Sequence, residues 1–215
     1  MARLAPDSRV AAKVFPSPNH GERAGGRAPD SIILHYTGMA SGAEALQWLC
    51  NPVSQVSCHY FVWEDGSVLQ LVPEPRRAWH AGVAVWAGET DMNSASIGVE
   101  IVNPGHDAGA PPFPAPQIAA VIALCRDIAA RCAIPAARIL AHSDIAPMRK
   151  RDPGEAFPWA VLHAAGVGHY APPAALGGGR FFSRGDAGPP VAALQQMLAL
   201  YGYGLPVTSS FDELT

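Results

Sequence analysis

The densest concentration of reactive side chains lies between residues 141 and 159, AHSDIAPMRKRDPGEAFPW, where His142, Lys150 and Asp152 stand between an apolar lead-in and a Pro-Gly stop. Two distant residues are suited to meet them. His35 follows the apolar run Ser31-Ile-Ile-Leu, and Glu100 sits inside Ile97-Gly-Val-Glu-Ile-Val. Zinc is held by imidazole nitrogens and carboxylate oxygens in a tetrahedron, and a hydrolytic site leaves one position for water. Two histidines and an aspartate satisfy that need. Glu100 can then serve as general base, its pKa raised by burial, while Lys150 can steady the oxyanion formed when water adds to an amide carbonyl.

Each assignment has an ordinary rival. The chain has eight histidines, so two of them with one Asp carry little by spacing alone. Glu100 could instead face solvent from an edge strand or pair with an arginine, because a buried carboxylate needs a partner or a pocket. Lys150 could be a solvated cation within Arg149-Lys-Arg151. Trp79 and His80, in AWHAG, could rim a pocket, with the Trp face stacking on a sugar ring; a core Trp is the equal alternative. His59 reads as a satisfied core histidine, and His20, His106, His163 and His169 receive no role.

Rigid elements must hold these groups. Residues 31–36 read as a central strand buried on both faces, because apolar residues run consecutively. A short helix is expected over 41–50, with Ala45, Leu46, Trp48 and Leu49 inward. Residues 57–72 read as a hairpin around Asp65-Gly66, the dipeptide a two-residue turn prefers. Residues 78–82 are expected as loop and 91–96 as a polar turn leading into a strand over 97–102. A helix over 115–132 follows from Ile118, Val121, Ile122, Cys125, Ile128 and Cys132 at three- and four-residue steps. A short strand over 139–142 then delivers the reactive loop. The order implies an α/β (α+β mixed) fold: a mixed sheet with helices on its faces.

Composition narrows the class. At 215 residues the chain accommodates one domain of about 150 to 180 residues and a small addition. A hydrophobic content of 49% with 15% charged residues is that of a globular core, not a disordered chain. The net charge of −3 gives no reason to expect a nucleic-acid partner. No apolar run reaches the length of a membrane span. The first twenty residues lack the pattern of a secretory signal, so the cytoplasm is the expected compartment, with the cell envelope or periplasm as the alternative. Cys50, Cys58, Cys125 and Cys132 have no metal-site spacing and read as packed, reduced thiols. A monomer is expected.

Taken together, SIILHYTG, SCHYFVWEDGSVLQLVPE, AWHAG, NSASIGVEIVN and ILAHSDIAPMRKRDPG give a pattern. The chain resembles the zinc-dependent N-acetylmuramoyl-L-alanine amidases of the type-2 family, relatives of the peptidoglycan recognition proteins. The resemblance implies Zn2+ held by His35, His142 and Asp152, with Glu100 as catalytic base and Lys150 as transition-state stabiliser. It implies a recognition-protein-like sheet flanked by helices, and Asn93 lining the substrate groove beside Trp79 and His80. The implied reaction is hydrolysis of the amide joining the lactyl group of N-acetylmuramic acid to L-alanine, in peptidoglycan or muropeptides. A non-catalytic peptidoglycan-binding protein is the alternative. The expected division is a catalytic domain over 1–170 with an extended arm over 1–30, a linker over 171–179, and part of a helical peptidoglycan-binding module over 180–215. That last unit is too small to stand alone and should lean on the catalytic domain.

Overall fold

The computed structural model of the protein describes residues 5–175, 177–179 and 181–215. In chain order it forms β1 (Lys13–Val14), β2 (His20–Glu22), β3 (Ser31–Tyr36), α1 (Gly42–Leu49), β4 (Tyr60–Val62), β5 (Val68–Gln70) and β6 (Arg76–Ala78). There follow α2 (Met92–Ala95), β7 (Ser96–Ile101), α3 (Ala115–Cys132), β8 (Ile139–Ala141), α4 (His142–Ile145), α5 (Trp159–Ala164) and α6 (Pro189–Tyr201). Six strands make a mixed sheet in the order β1-β5-β4-β7-β3-β8, and β2 pairs with β6 in a small second sheet.

The expected central strand is β3, flanked by β7 and β8, both parallel to it. Its residues alternate between two apolar layers, as the period of a strand requires. Ile32 and Leu34 join Ile97, Val99 and Ile101 beneath the buried stripe of α3, Ile118, Val121, Leu124, Cys125 and Ile128. Ile33 points the other way, into a cluster with Ala81, Met92, Leu140 and Ile145. His35 lies on that second face at the carboxyl end of β3, in register with Glu100 of β7. In open α/β sheets, ligands bind beyond these carboxyl ends.

The hairpin is present, with a different turn. Trp63 N–H donates to the Ser67 carbonyl at 2.9 Å, so the strands close over Glu64-Asp65-Gly66. Gly66 takes φ 87°, the left-handed conformation that ends a three-residue loop. Helix α1 is capped by Ser41, whose hydroxyl accepts from the Glu44 amide at 3.2 Å. Ala45 and Leu49 are buried as expected, but Trp48 is 47% exposed.

The N-terminal arm is more ordered than an extended wrap. β1 adds a strand beside β5, and β2 pairs with Arg76–Ala78 as β6, so that of the loop expected over 78–82 the first residue is strand. Asp91 caps α2 by accepting from the Ser94 amide at 3.2 Å, so the expected polar turn is a helical one. All four cysteines are free thiols.

Residues 181–215 lean on the rest, as their size requires. Trp86 bridges to Tyr203, the Ala87 amide donates to the Gly202 carbonyl at 2.8 Å, and the Tyr203 hydroxyl donates to Asp144 at 3.1 Å. Within α6, Val191 and Gln195 are buried, while Tyr201 is 54% exposed. Gln195 receives the Thr208 and Ser209 amides at its Oε1 and donates to the Ser210 carbonyl. Arg180, where this unit is expected to begin, lies outside the described residues.

Candidate functional site

Three elements deliver the reactive groups to one point. β3 ends at His35. β8 runs into α4, so His142 opens a helical turn instead of closing the strand. That turn forms because Asp144 folds back and accepts the Ala141 amide at 2.8 Å. The loop after α4 is drawn in by the Ser143 amide, which donates to the Asp152 carbonyl at 3.0 Å.

The outcome is a triangle of potential ligand atoms. His35 Nδ1 and His142 Nδ1 are 2.9 Å apart, and Asp152 Oδ2 lies 3.1 Å from the first and 3.0 Å from the second. All three residues are buried. Ligands at about 2.0–2.2 Å from a tetrahedral zinc ion stand roughly 3.3–3.6 Å apart, so the triangle approximates one face of that tetrahedron. The outer nitrogens are held as metal-ligating imidazoles require. His142 Nε2 donates to the Ala81 carbonyl at 3.0 Å, which leaves a lone pair on Nδ1 in the neutral ring. His35 Nε2 lies 3.0 Å from His80 Nδ1.

The protonation states also suit a cation. Burial, then the neighbouring His142, lowers the His35 pKa to about 4. Asp152 is buried with its Oδ2 against both imidazoles. A neutral imidazole and a carboxylate are the forms a metal needs. The donor set therefore fits zinc.

Glu100 lies beside this triangle. Its Oε2 is buried and has no hydrogen-bond partner among the described residues. Burial, then the charge of Asp152, raises its pKa well above the usual carboxylate value, while Lys150 opposes the rise. Neither ordinary rival for Glu100 is what the structure holds: β7 is an inner strand, and among the described residues no arginine bonds Glu100 Oε2.

His35, His142, Asp152, Glu100 and Lys150 line one cavity of about 510 Å³, of the size that small-molecule sites have. Trp79 and His80 line it too. Asn93 does not. Its Oδ1 accepts the amides of His80 and Ala81 at 2.9 and 2.8 Å, so the side chain serves the protein interior instead of a groove. His59 is the expected core histidine: Gly98 donates to its Nδ1 at 3.0 Å, and its Nε2 meets Arg76 O at 3.0 Å.

Several residues of the cavity carry no clear sequence signal. His106 joins Tyr36 OH at 2.9 Å through Nδ1 and Glu155 at 2.8 Å through Nε2. Arg149 donates to the carbonyls of Ala81 and Val83 at 2.7 and 2.9 Å. The adjacency of Tyr36 to His35 was the one available hint. Trp48, read as core, borders the same cavity.

Against known proteins, the family model described as N-acetylmuramoyl-L-alanine amidase matches residues 25–155. The chain belongs to the N-acetylmuramoyl-L-alanine amidase family. Within this amidase family, it is 40% identical to Escherichia coli amidase AmiD over 80% of this chain and 66% of that relative's length. It is 33% identical to the 1,6-anhydro-N-acetylmuramyl-L-alanine amidase AmpD of Enterobacter cloacae, over 72% of this chain and 90% of the relative. The solved complex of E. coli AmiD with anhydro-N-acetylmuramic acid-L-Ala-D-γ-Glu-L-Lys superposes with TM-score 0.70 and 35% identity, covering 87% of this chain and 81% of that one. AmpDh3 of Pseudomonas aeruginosa, in complex with anhydromuramic pentapeptide, gives TM-score 0.66 and 26% identity over 97% and 83%. The recognition-protein-like fold of these amidases is thus shared.

Proposed function

We propose that the protein is a zinc amidase that cleaves the bond between the lactyl group of N-acetylmuramic acid and L-alanine in muramyl peptides. The observation that carries the reading is the buried triangle of His35 Nδ1, His142 Nδ1 and Asp152 Oδ2 beside an unpartnered Glu100 carboxylate. These three residues would hold Zn2+, which when bound acidifies a water and polarises an amide carbonyl.

The chain's own groups do the rest. Glu100 accepts a proton from the attacking water; its raised pKa makes it a stronger base and, once protonated, an acid able to return that proton to the leaving amine. Lys150 supplies positive charge on the same wall for the developing oxyanion. Arg149 and Arg151 add cations to the rim, suited to stem-peptide carboxylates, and Trp79 offers a ring face for a sugar. Every group a hydrolytic centre needs is present, so a non-catalytic binder has no observation in its favour.

Peptidoglycan fragments with anhydro ends are the substrates we favour, by likeness to AmiD and AmpD. The unit 181–215 we read as part of a peptidoglycan-binding module. The cytoplasm, expected from sequence, belongs to the same proposal and is read by cell fractionation. Among the described residues, no helix is long and apolar enough to cross a membrane.

The test is to incubate zinc-loaded protein with anhydro-muropeptides and with intact sacculi, following products by mass spectrometry. Release of free stem peptide and intact amino sugar is expected, faster from the fragments. Binding without release would overturn the enzymatic reading.

A further inference from the structure

A chain of hydrogen bonds outside the ligand triangle can be given a direction from one end. Ser96 has a single hydroxyl proton, and it goes to the Met92 carbonyl, which can only accept. The same oxygen lies 3.3 Å from His80 Nε2, so there Ser96 must accept and His80 Nε2 must carry the proton. The neutral His80 ring then presents a lone pair at Nδ1. His35 Nε2, 3.0 Å away, donates to it, and His35 Nδ1 is left as a lone pair aimed into the triangle.

The other imidazole is set by the next residue. His142 Nε2 donates to the Ala81 carbonyl, and its Nδ1 is likewise a lone pair. Two nitrogen lone pairs and a carboxylate oxygen within 3.1 Å of one another have no proton between them. That arrangement is complementary to a cation.

We propose that the dipeptide His80-Ala81, pinned by Asn93, is a shared anchor that fixes the tautomer and aim of both imidazole metal ligands. The inference rests on the metal reading above and reassigns His80 and Asn93 from substrate contacts to positioning residues. Asn93 Oδ1 takes both amides of the dipeptide, which places the His80 ring and the Ala81 carbonyl together. The ring's seat is shaped for it: a Cβ on Gly98 of β7 would lie 2.4 Å from His80 Cγ. Both ring nitrogens of His80 are already engaged, so the side chain offers no polar atom to a substrate.

The test measures zinc affinity by competition with a chromophoric chelator, together with the imidazole N–H resonances of the zinc-loaded protein. His80→Leu and Asn93→Leu are expected to weaken zinc binding by about 10- to 100-fold. His80→Asn, which restores an acceptor near the Nδ1 position, and Asn93→Asp, which keeps the amide acceptor, should stay within roughly threefold of wild type. Wild-type protein should show slowly exchanging Nε2 protons on both His35 and His142. His80→Leu should lose only the first, because the Ala81 carbonyl remains. A general loss of structure would remove both. Should the leucine variants fail to fold, Ser96→Ala, which deletes an acceptor without adding volume, gives the same readings. Equal affinity in all variants, or a His35 that coordinates zinc through Nε2, would overturn the anchor. Wild-type protein that takes up no zinc would overturn the metal reading and the anchor with it.

Discussion

Replacing Glu100 by Gln isolates the general base from everything else in the cavity. The amide keeps the shape of the carboxylate and removes its basicity. A positioned general base contributes about 10²–10⁴-fold to rate, equivalent to roughly 2.7–5.4 kcal/mol of barrier. The kcat of zinc-loaded Glu100→Gln should fall by that amount, with zinc still bound, since Glu100 is outside the ligand triangle. The structure adds a second, opposite consequence. Glu100 Oε2 is buried without a partner, and an unsatisfied buried group of this kind costs about 1–3 kcal/mol. The pKa raised by burial means that the folded state holds its proton more tightly than the unfolded chain does. The resulting penalty is therefore absent below the unfolded value and grows as pH rises toward the folded one. Metal-free Glu100→Gln should accordingly gain stability over metal-free wild type as pH rises above 4.5, and the difference should vanish in acid. Stopped-time cleavage of anhydro-muropeptide and urea titrations at several pH values measure the two effects. A variant keeping more than about a tenth of wild-type kcat would refute the assignment of the base, given the range expected of such a group.

Other consequences follow from the packing and the buried imidazoles. His59 is buried and neutral, its pKa lowered from 6.5 to about 3 by desolvation and then by Arg23. Its stabilising contribution is therefore complete above pH 6.5 and lost as pH falls toward 3. The slope should approach 1.4 kcal/mol per pH unit at most, about the value for one proton, and His59→Asn should flatten it in acid denaturation curves. Trp86 is 3% exposed and holds the segment that meets Tyr203, so Trp86→Ala should cost about 3–5 kcal/mol and speed proteolysis within 181–215. Gly105 has φ 73°, and a Cβ there would lie 2.5 Å from Tyr36 Cζ. Gly105→Ala should displace Tyr36 from His106 and raise KM more than it lowers kcat, as steady-state kinetics would record.

The parts of the fold visible in sequence are those whose signal is local. SIILHY is apolar on both faces because a buried cluster packs on each face of β3, and the stripe of α3 is buried against one of those faces. The chemistry was visible because His35, Glu100, His142 and Asp152 each sit at the end of, within, or just after such a run. β6 was not visible, since Arg76-Arg77-Ala78 has no strand pattern and is extended only because β2 of the arm pairs with it. The sequence places His142 at a strand end because the Asp144 side chain that turns the backbone into α4 leaves no mark in hydrophobic periodicity. Asn93 and His106 depend on partners 12 to 70 positions away, and no spacing rule encodes those. Trp48 shows the converse: helical spacing put it inward, yet the sheet is already covered by Ala45 and Leu49, and the ring turns to the cavity.

Diffraction at the zinc absorption edge from crystals of the zinc-loaded protein addresses the central claim most directly. One anomalous peak per chain is expected, about 2.0–2.2 Å from His35 Nδ1, His142 Nδ1 and Asp152 Oδ2, with Glu100 outside bonding distance. A peak elsewhere, coordination lacking any of these three atoms, or no peak at all would contradict it.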